Sequence, residues 1–278
     1  NIATDGVSEE AYGRISSSVG SYNTLRNNLK FSTGLLNDHI EISGRLSRIT
    51  SDGYIDRASS ELDSYFLQGA FKSENTILKA VLFGGHEVTY QAWYGIDAAT
   101  LKSDRTFNPS GIYTDADGVT QFYDNEVDDY KQNHAQLLWN QKLNDNWDTN
   151  LALHYTRGRG FFEQFKEDDD FETYGFEPLL VNGEEVNTTD LVRRRWLDND
   201  FYGTVFSAHY NNNNNLDLIL GGGWNKYEGK HYGEVIWAEY APNSFIRDRY
   251  YDDNSVKTDF NVFAKANYSL DSLRGSAI

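Results

Sequence analysis

Cysteine and methionine are absent from these 278 residues, and proline occurs only three times. Without cysteine there is neither a disulfide framework nor a thiolate metal site. Basic charge is scarce: 25 Lys and Arg stand against 42 Asp and Glu, a formal net charge of −17. Nucleic acid needs clustered cations to neutralise phosphate, so this balance argues against it as a partner. No run approaches the roughly 18 apolar residues of a membrane-crossing helix, and the longest candidate is Ala80 to Phe83. There is no secretion signal, and the chain starts at Asn1 without methionine, so a piece of something longer is expected. Enzyme motifs are missing as well. Gly221-Gly222-Gly223 falls inside an extended segment rather than a nucleotide loop, and no nucleophile elbow or zincin motif occurs. Asp115-Ala116-Asp117-Gly118 is like a calcium loop whose glycine comes too early, and reads more simply as a hairpin turn. The expectation is a protein without catalytic residues, cofactor or resident metal.

What is present is aromatic and alternating. The chain has 19 Tyr, 16 Phe, six Trp and 23 Gly. Phe260, Val262, Ala264, Ala266, Tyr268 and Leu270 share one parity; Asp259, Asn261, Lys265, Asn267 and Ser269 share the other, interrupted by Phe263. Trp147, Thr149, Leu151, Leu153 and Tyr155 likewise oppose Asp148, Asn150 and His154. A period of two marks strands with one dry and one wet face. About ten such strands are predicted, at 12–20, 24–36, 39–49, 63–72, 76–89, 130–143, 147–158, 201–211, 216–227 and 258–270. Most are longer than the usual five or six residues of soluble sheets and match the reach of tilted membrane strands.

The connections sort by length. Asn37-Asp38, Ser73 to Asn75, Asn144 to Asn146 and the asparagines around 212–215 make tight turns. The alternate connections, about 51–62, 90–129, 159–200 and 228–257, read as long loops, after a short first member near Ser21 to Asn23. Outer-membrane barrels show this asymmetry, with short periplasmic turns and long external loops. On the dry parity, Trp147 and Tyr155, Tyr202 and Tyr210, and Phe260 and Tyr268 are each eight residues apart. That spacing is roughly 26 Å along a strand and about 20 Å of height at a 40° tilt, near the girdle separation of such barrels. The fold class is therefore all-β, an antiparallel up-and-down transmembrane β-barrel.

Particular segments resemble a family. Gly20-Ser21-Tyr22-Asn23-Thr24, Gly34-Leu35-Leu36-Asn37-Asp38 and Gly44-Arg45-Leu46-Ser47-Arg48, followed by Ser51-Asp52-Gly53-Tyr54-Ile55-Asp56-Arg57-Ala58-Ser59, resemble the opening barrel strands of TonB-dependent outer-membrane receptors, those of Bacteroides-like bacteria above all. Tyr90-Gln91-Ala92-Trp93, Phe107-Asn108-Pro109-Ser110-Gly111 and Leu153-His154-Tyr155-Thr156-Arg157-Gly158 are similar to later segments, and Asn1 to Thr4 to the end of the family's plug. The resemblance implies a plug, a 22-stranded barrel and an N-terminal motif that docks with TonB. Most of that plug, the docking motif and more than half of the strands are lacking. On this reading residues 1–10 are the C-terminal tail of the plug and 11–278 an open, N-terminal portion of the barrel.

The resemblance also implies function: a multi-pass protein of the cell outer membrane importing a bulky, scarce nutrient, first of all an iron–siderophore complex. Its partners are lipid bilayer, lipopolysaccharide, the TonB complex and a small-molecule ligand. Aromatic faces and guanidinium forks suit flat anionic ligands. The candidate binding residues, placed in loops, are Tyr90, Trp93, Tyr94, Tyr113, Arg157, Arg159, Phe161, Phe162, Arg193, Arg194, Arg195, Trp196 and Trp237. Asn28, Lys30, Arg45, Gln68, His134, Gln136, Asn150, His154, Lys265 and Asn267 are expected to line the lumen. The acidic stretch Glu163, Glu167, Asp168, Asp169, Asp170 and Glu172 reads as a solvated external face. A self-contained ten-stranded channel or barrel enzyme, and a soluble secreted β-sheet binding protein, stand as alternatives.

Overall fold

The computed structural model describes residues 6–269, so the plug-like residues 1–4 and Leu270 lie outside the described residues. Five strands come first: β1 (Ala11–Gly20), β2 (Thr24–Thr33), β3 (Ile40–Ser51), β4 (Ser60–Lys72) and β5 (Thr76–Tyr90). Then follow a short helix α1 (Ala98–Ser103), a hairpin of β6 (Ile112–Thr114) and β7 (Thr120–Phe122), and strands β8 (Val127–Lys142) and β9 (Trp147–Asp170). A turn of helix α2 (Phe171–Tyr174) and a second hairpin, β10 (Leu179–Val181) with β11 (Glu184–Val186), lead to β12 (Thr188–Asn211), β13 (Leu216–Ala238) and β14 (Arg249–Tyr268).

Ten of these strands form one antiparallel sheet in sequence order, β1-β2-β3-β4-β5-β8-β9-β12-β13-β14, an up-and-down meander with β1 and β14 as its edges. The sheet is open, as the sequence led us to expect. The tight turns explain its hairpins. Asn37 and Asp38 both adopt left-handed backbone, φ 48° and 60°, which these two side chains tolerate. β2 stops at Gly34, whose φ of 66° brings its α-carbon against the segment before β1: an added Cβ would meet Ala11 N at 2.6 Å.

Parity divides the sheet into two faces. Along β4, Leu67 and Phe71 are exposed while Gln68 and Ala70 are buried. The register carries that division across the sheet: Gln68 pairs with Val81, Val81 with Gln136 and Gln136 with His154, all on the inner face. The outer face bears Leu46, Leu67, Leu82, Leu137, Leu153, Leu220, Phe260 and Val262, each more than a third exposed, with no second protein layer against them among the described residues. This is the arrangement the soluble-sandwich alternative forbids, because its dry faces would meet another sheet.

Above the aromatic row of Tyr65, Tyr155, Tyr202 and Trp224, the same outer face turns charged. Arg157 is paired with Asp198 and with Asp200 (2.8 Å), Arg159 with Asp198 at 3.6 Å, and Arg48 with Glu61 at 3.3 Å. An apolar band thus has a sharp upper boundary.

One expectation fails here. The segments 159–200 and 228–257 are mostly strand, because β9 and β12 each run for 24 residues and β13 for 23. Above the apolar band both faces of a strand are wet, so alternation ceases to mark it. The connections that remain are 171–187 and 239–248.

Candidate functional site

The strand extensions change where the basic and aromatic residues point. Of the candidate binding residues, only Trp93, Tyr94 and, in the β6–β7 hairpin, Tyr113 belong to a connection. Tyr90 ends β5 and is buried; Arg157, Arg159, Phe161 and Phe162 lie on β9; Arg193, Arg194, Arg195 and Trp196 lie on β12; Trp237 lies on β13. Their placement in loops is therefore corrected. In a strand neighbouring residues face opposite ways, so this set splits into two groups.

The outer group is occupied with itself. Phe161 packs on Trp196 (4.7 Å between ring centroids) and Trp196 stacks on Tyr232 (5.7 Å), while Arg194 and Arg159 cover Phe161 and Trp196. Arg157 and Arg159 are held by the aspartates named above. Tyr113, Tyr123 and Trp237 gather around Phe165. Glu163 lies among them, 1% exposed, bonded to Arg194 Nε at 2.6 Å and accepting from the Tyr123 hydroxyl and Asn125 Nδ2, both at 2.6 Å. The solvated reading of the acidic stretch fails at this residue. Glu163 instead ties the long connection, 91–126, to β9.

That connection is locked to its neighbour as well. Asn108, 2% exposed, donates from Nδ2 to Asp56 O (3.1 Å) and Gln91 O (2.9 Å). Arg57 has φ 60°, lies over the Phe122 ring at 3.7 Å and donates to Asn108 O. The segments around Tyr54 and around Pro109 thus serve to fix one connection against another. The Asp115 to Gly118 segment is a hairpin turn, with Asp115 Oδ1 accepting from Asp117 N and Val119 N.

The inner group forms a different arrangement at the upper end of the wall. A single register row runs Thr89, Asp128, Phe162, Arg195, Gly233, Tyr251 across six strands. Arg195 donates from Nε to the Tyr251 hydroxyl at 3.2 Å and lies over the rings of Phe162 (5.5 Å) and Tyr251 (5.6 Å). Trp93 reaches over the rim to Phe162, 6.2 Å away edge to face, and Tyr94 packs beside it. Trp93 and Tyr94 are 58% and 51% exposed, so both rings are open to solvent beside Phe162 of the inner face. Arg195 has no carboxylate within ion-pair distance among the described residues, unlike Arg157, Arg159 and Arg194. Beneath lies a cavity of about 270 Å³ bordered by Glu87, Asp128, Tyr130, Phe162, Arg195 and Leu197. Burial, reinforced by the nearby Glu87 charge, raises the Asp128 carboxyl to about 6.

Arg193 also faces inward but is spent on structure. It donates to the Tyr174 hydroxyl and to Gln164 Oε1, each at 3.0 Å, beneath a small core of Phe171, Tyr174, Phe176, Leu191 and Val235. Lower on the same wall, all ten residues expected to line the lumen share the inner face, from Asn28 and Lys30 through Arg45, Gln68, Asn150, Lys265 and Asn267. His134, Gln136 and His154 border a further cavity of about 570 Å³. There His134 stacks on Phe83 at 4.3 Å, and His154 bonds Asn225 Oδ1 at 2.8 Å. Tyr251 and Asp128 were not foreseen from sequence. Counting by twos from Arg195 and Phe162 along an extended strand would have found the shared row.

No family model matches the chain, and no curated protein does. Solved structures do match in fold. The unliganded ferric citrate transporter FecA superposes with a TM-score of 0.60 at 10% identity, covering 96% of this chain and 37% of that one. BauA, the ferric preacinetobactin receptor of Acinetobacter baumannii, gives 0.62 at 9% identity, with 95% and 40% coverage. The RagAB peptide transporter gives 0.56 at 12% identity, with 89% and 30% coverage. The chain therefore has the fold of a portion of these proteins and spans two fifths of their length or less.

Proposed function

We propose that this chain is the plug-proximal portion of the barrel of a TonB-dependent outer-membrane receptor, which captures a bulky nutrient at its external mouth and imports it. The carrying observation is the coexistence of an uncovered apolar outer band with a polar inner wall crowned by Trp93, Tyr94, Phe162, Arg195 and Tyr251. The first is a surface for lipid, with lipopolysaccharide at its upper, charged margin; the second is a recognition cluster facing the passage. A guanidinium without a carboxylate, set among exposed rings, favours a flat anionic ligand such as a ferric siderophore. The likeness to a ferric citrate transporter and a ferric preacinetobactin receptor supports that ligand class; the likeness to a peptide transporter supports import more broadly. Docking to TonB belongs to the part of the receptor outside this chain.

The self-contained ten-stranded alternative requires β1 to pair with β14, yet β1 has 10 residues and β14 has 20. The test is ligand capture by the intact receptor in detergent, read by quenching of tryptophan fluorescence with ferric catecholate, hydroxamate and citrate complexes. Arg195→Ala and Phe162→Ala each raise Kd by about 30-fold or more if the cluster is a hot spot, while Arg159→Ala, on the outer face, leaves it unchanged. Equal losses from all three variants would overturn the assignment of the site.

A further inference from the structure

The connection 91–126 delivers Trp93 and Tyr94 to the recognition cluster, so whatever holds this strap sets the geometry of capture. One part of its anchorage is conventional: the buried Glu163 with Arg194. The other is chemically unusual. Glu126 stands where the strap rejoins β8, 3% exposed, its Oε2 accepting from Phe165 N at 2.9 Å while its backbone oxygen accepts from Gln91 N at 2.8 Å. One residue therefore closes both ends of the strap, Gln91 at its start and Glu126 at its finish, against β9.

We infer that Glu126 is a proton-operated latch: neutral, it holds the strap closed with Trp93 over Phe162, and ionised, it favours release. This rests on the reading of the Trp93–Phe162–Arg195 cluster as the capture site, which it supplies with regulation.

The geometry leaves the ionised form poorly compensated. From β9, Lys166 acts only at a distance, and Glu163 adds negative charge already matched by Arg194 of β12. Arg193, also on β12, is committed to Gln164 and Tyr174. From the strap itself come Asp124 and the Tyr123 hydroxyl, the latter bonded to Glu163, and from the end of β5 comes the Tyr90 hydroxyl, which donates to Tyr123 O. No ion pair reaches Glu126 among the described residues. The backbone N–H bonds favour the ionised form, but at 3% exposure with no cation in contact the lost hydration is the larger effect. Burial accordingly lifts this carboxyl from 4.5 to about 7, the Phe165 and Gly111 amides and the remote cations opposing it in part.

The sign follows from linkage. In the released strap Glu126 is solvated and titrates near 4.5, whereas in the closed strap it titrates near 7. The closed state binds the extra proton between these values, so opening becomes about tenfold easier per pH unit across that interval and levels off above it. Asp128, raised in the same direction to about 6, belongs to β8 and stays on the wall when the strap moves.

Hydrogen exchange of the intact protein in detergent, corrected for intrinsic exchange rates, tests the latch. Protection of residues 91–126 is expected to fall steeply from pH 5 to pH 7 and then remain level, with β3 and β4 constant. Glu126→Gln, which keeps the acceptor oxygen and a neutral side chain, should hold high protection throughout. A flat profile in the wild type, or the same slope in Glu126→Gln, overturns the inference. If Glu126→Gln fails to fold, the infrared carboxyl band of the wild type decides: a protonated carboxyl disappearing near pH 7 together with strap protection supports the latch, and its absence at pH 5.5 refutes it. Exchange reports on the strap whether or not siderophores bind, so failure of the latch and failure of the capture site are distinguishable.

Discussion

Leu151 and Asn150 are adjacent on β9 and face opposite ways, which makes them a direct test of the two-sided wall. Leu151 lies four residues from each of Trp147 and Tyr155, so about 13 Å of strand separates it from either aromatic boundary. It is flanked on the outer face by its register partners Trp139 and Phe206. In a bilayer this is the midplane, where an outward arginine costs about 2–4 kcal/mol. Asn150 faces inward, pairs with Asn140 and Ser207, and donates to Ser207 Oγ at 3.2 Å. Its replacement by arginine loses about 1 kcal/mol at most, a single exposed hydrogen bond exchanged for water. Leu151→Arg should therefore shift the unfolding equilibrium of the intact protein by about five- to several-hundred-fold more than Asn150→Arg. Urea unfolding in lipid vesicles, followed by tryptophan fluorescence, measures both. Equal costs, or a larger cost for Asn150→Arg, would refute the assignment of the outer face to lipid.

Three further outcomes follow from the rim and the first hairpin. Arg194→Ala strands Glu163 as a buried, unpaired carboxylate, and the strap should lose about 3–5 kcal/mol of local stability, seen as rapid proteolysis within 91–126; Arg194→Ala with Glu163→Gln should recover most of it. Asp128 gains its charge as pH rises through about 6, close to the Arg195 row. Capture of an anionic ferric complex should thus weaken from pH 5 to pH 7, and Asp128→Asn should remove this component of the pH dependence while the latch component remains. Gly34→Val places a β-branched residue at φ 66°, with its Cβ against Ala11 N and Glu9 O. A cost of about 1–3 kcal/mol in thermal unfolding is expected, whereas Gly6→Val, with nothing near it, is neutral.

The lower half of the wall was legible because apolar and polar residues alternate strictly there, one kind on each face. Strands β1 to β5 and β8 are foreseen to within three residues, whereas the short β6–β7 hairpin is not, and the inner set from Asn28 to Asn267 falls on one face. The upper half was not legible for the same reason in reverse. Beyond Tyr155 both faces meet water or polar connections, so Arg157-Gly158-Arg159-Gly160-Phe161-Phe162 carries no alternation of polarity although its backbone still alternates. Arg193-Arg194-Arg195 read as one basic cluster, yet the pleat sends Arg194 outward to Glu163 and Arg195 inward to Tyr251. Glu163 reads as a surface acid and Glu126 draws no notice in the sequence, because their burial depends on contacts more than thirty residues away, a distance over which local pattern is silent.

The unequal edges of the sheet have a geometric consequence. With 10 residues in β1 and 20 in β14, the parapet stands low at one flank and high at the other. A neighbour joining β14 by a full ladder must itself run for about 20 residues, while one joining β1 need run for only about 10. On the receptor reading proposed above, a mouth bounded by these two edges slopes from one flank to the other, with the Arg195 row nearer the tall one.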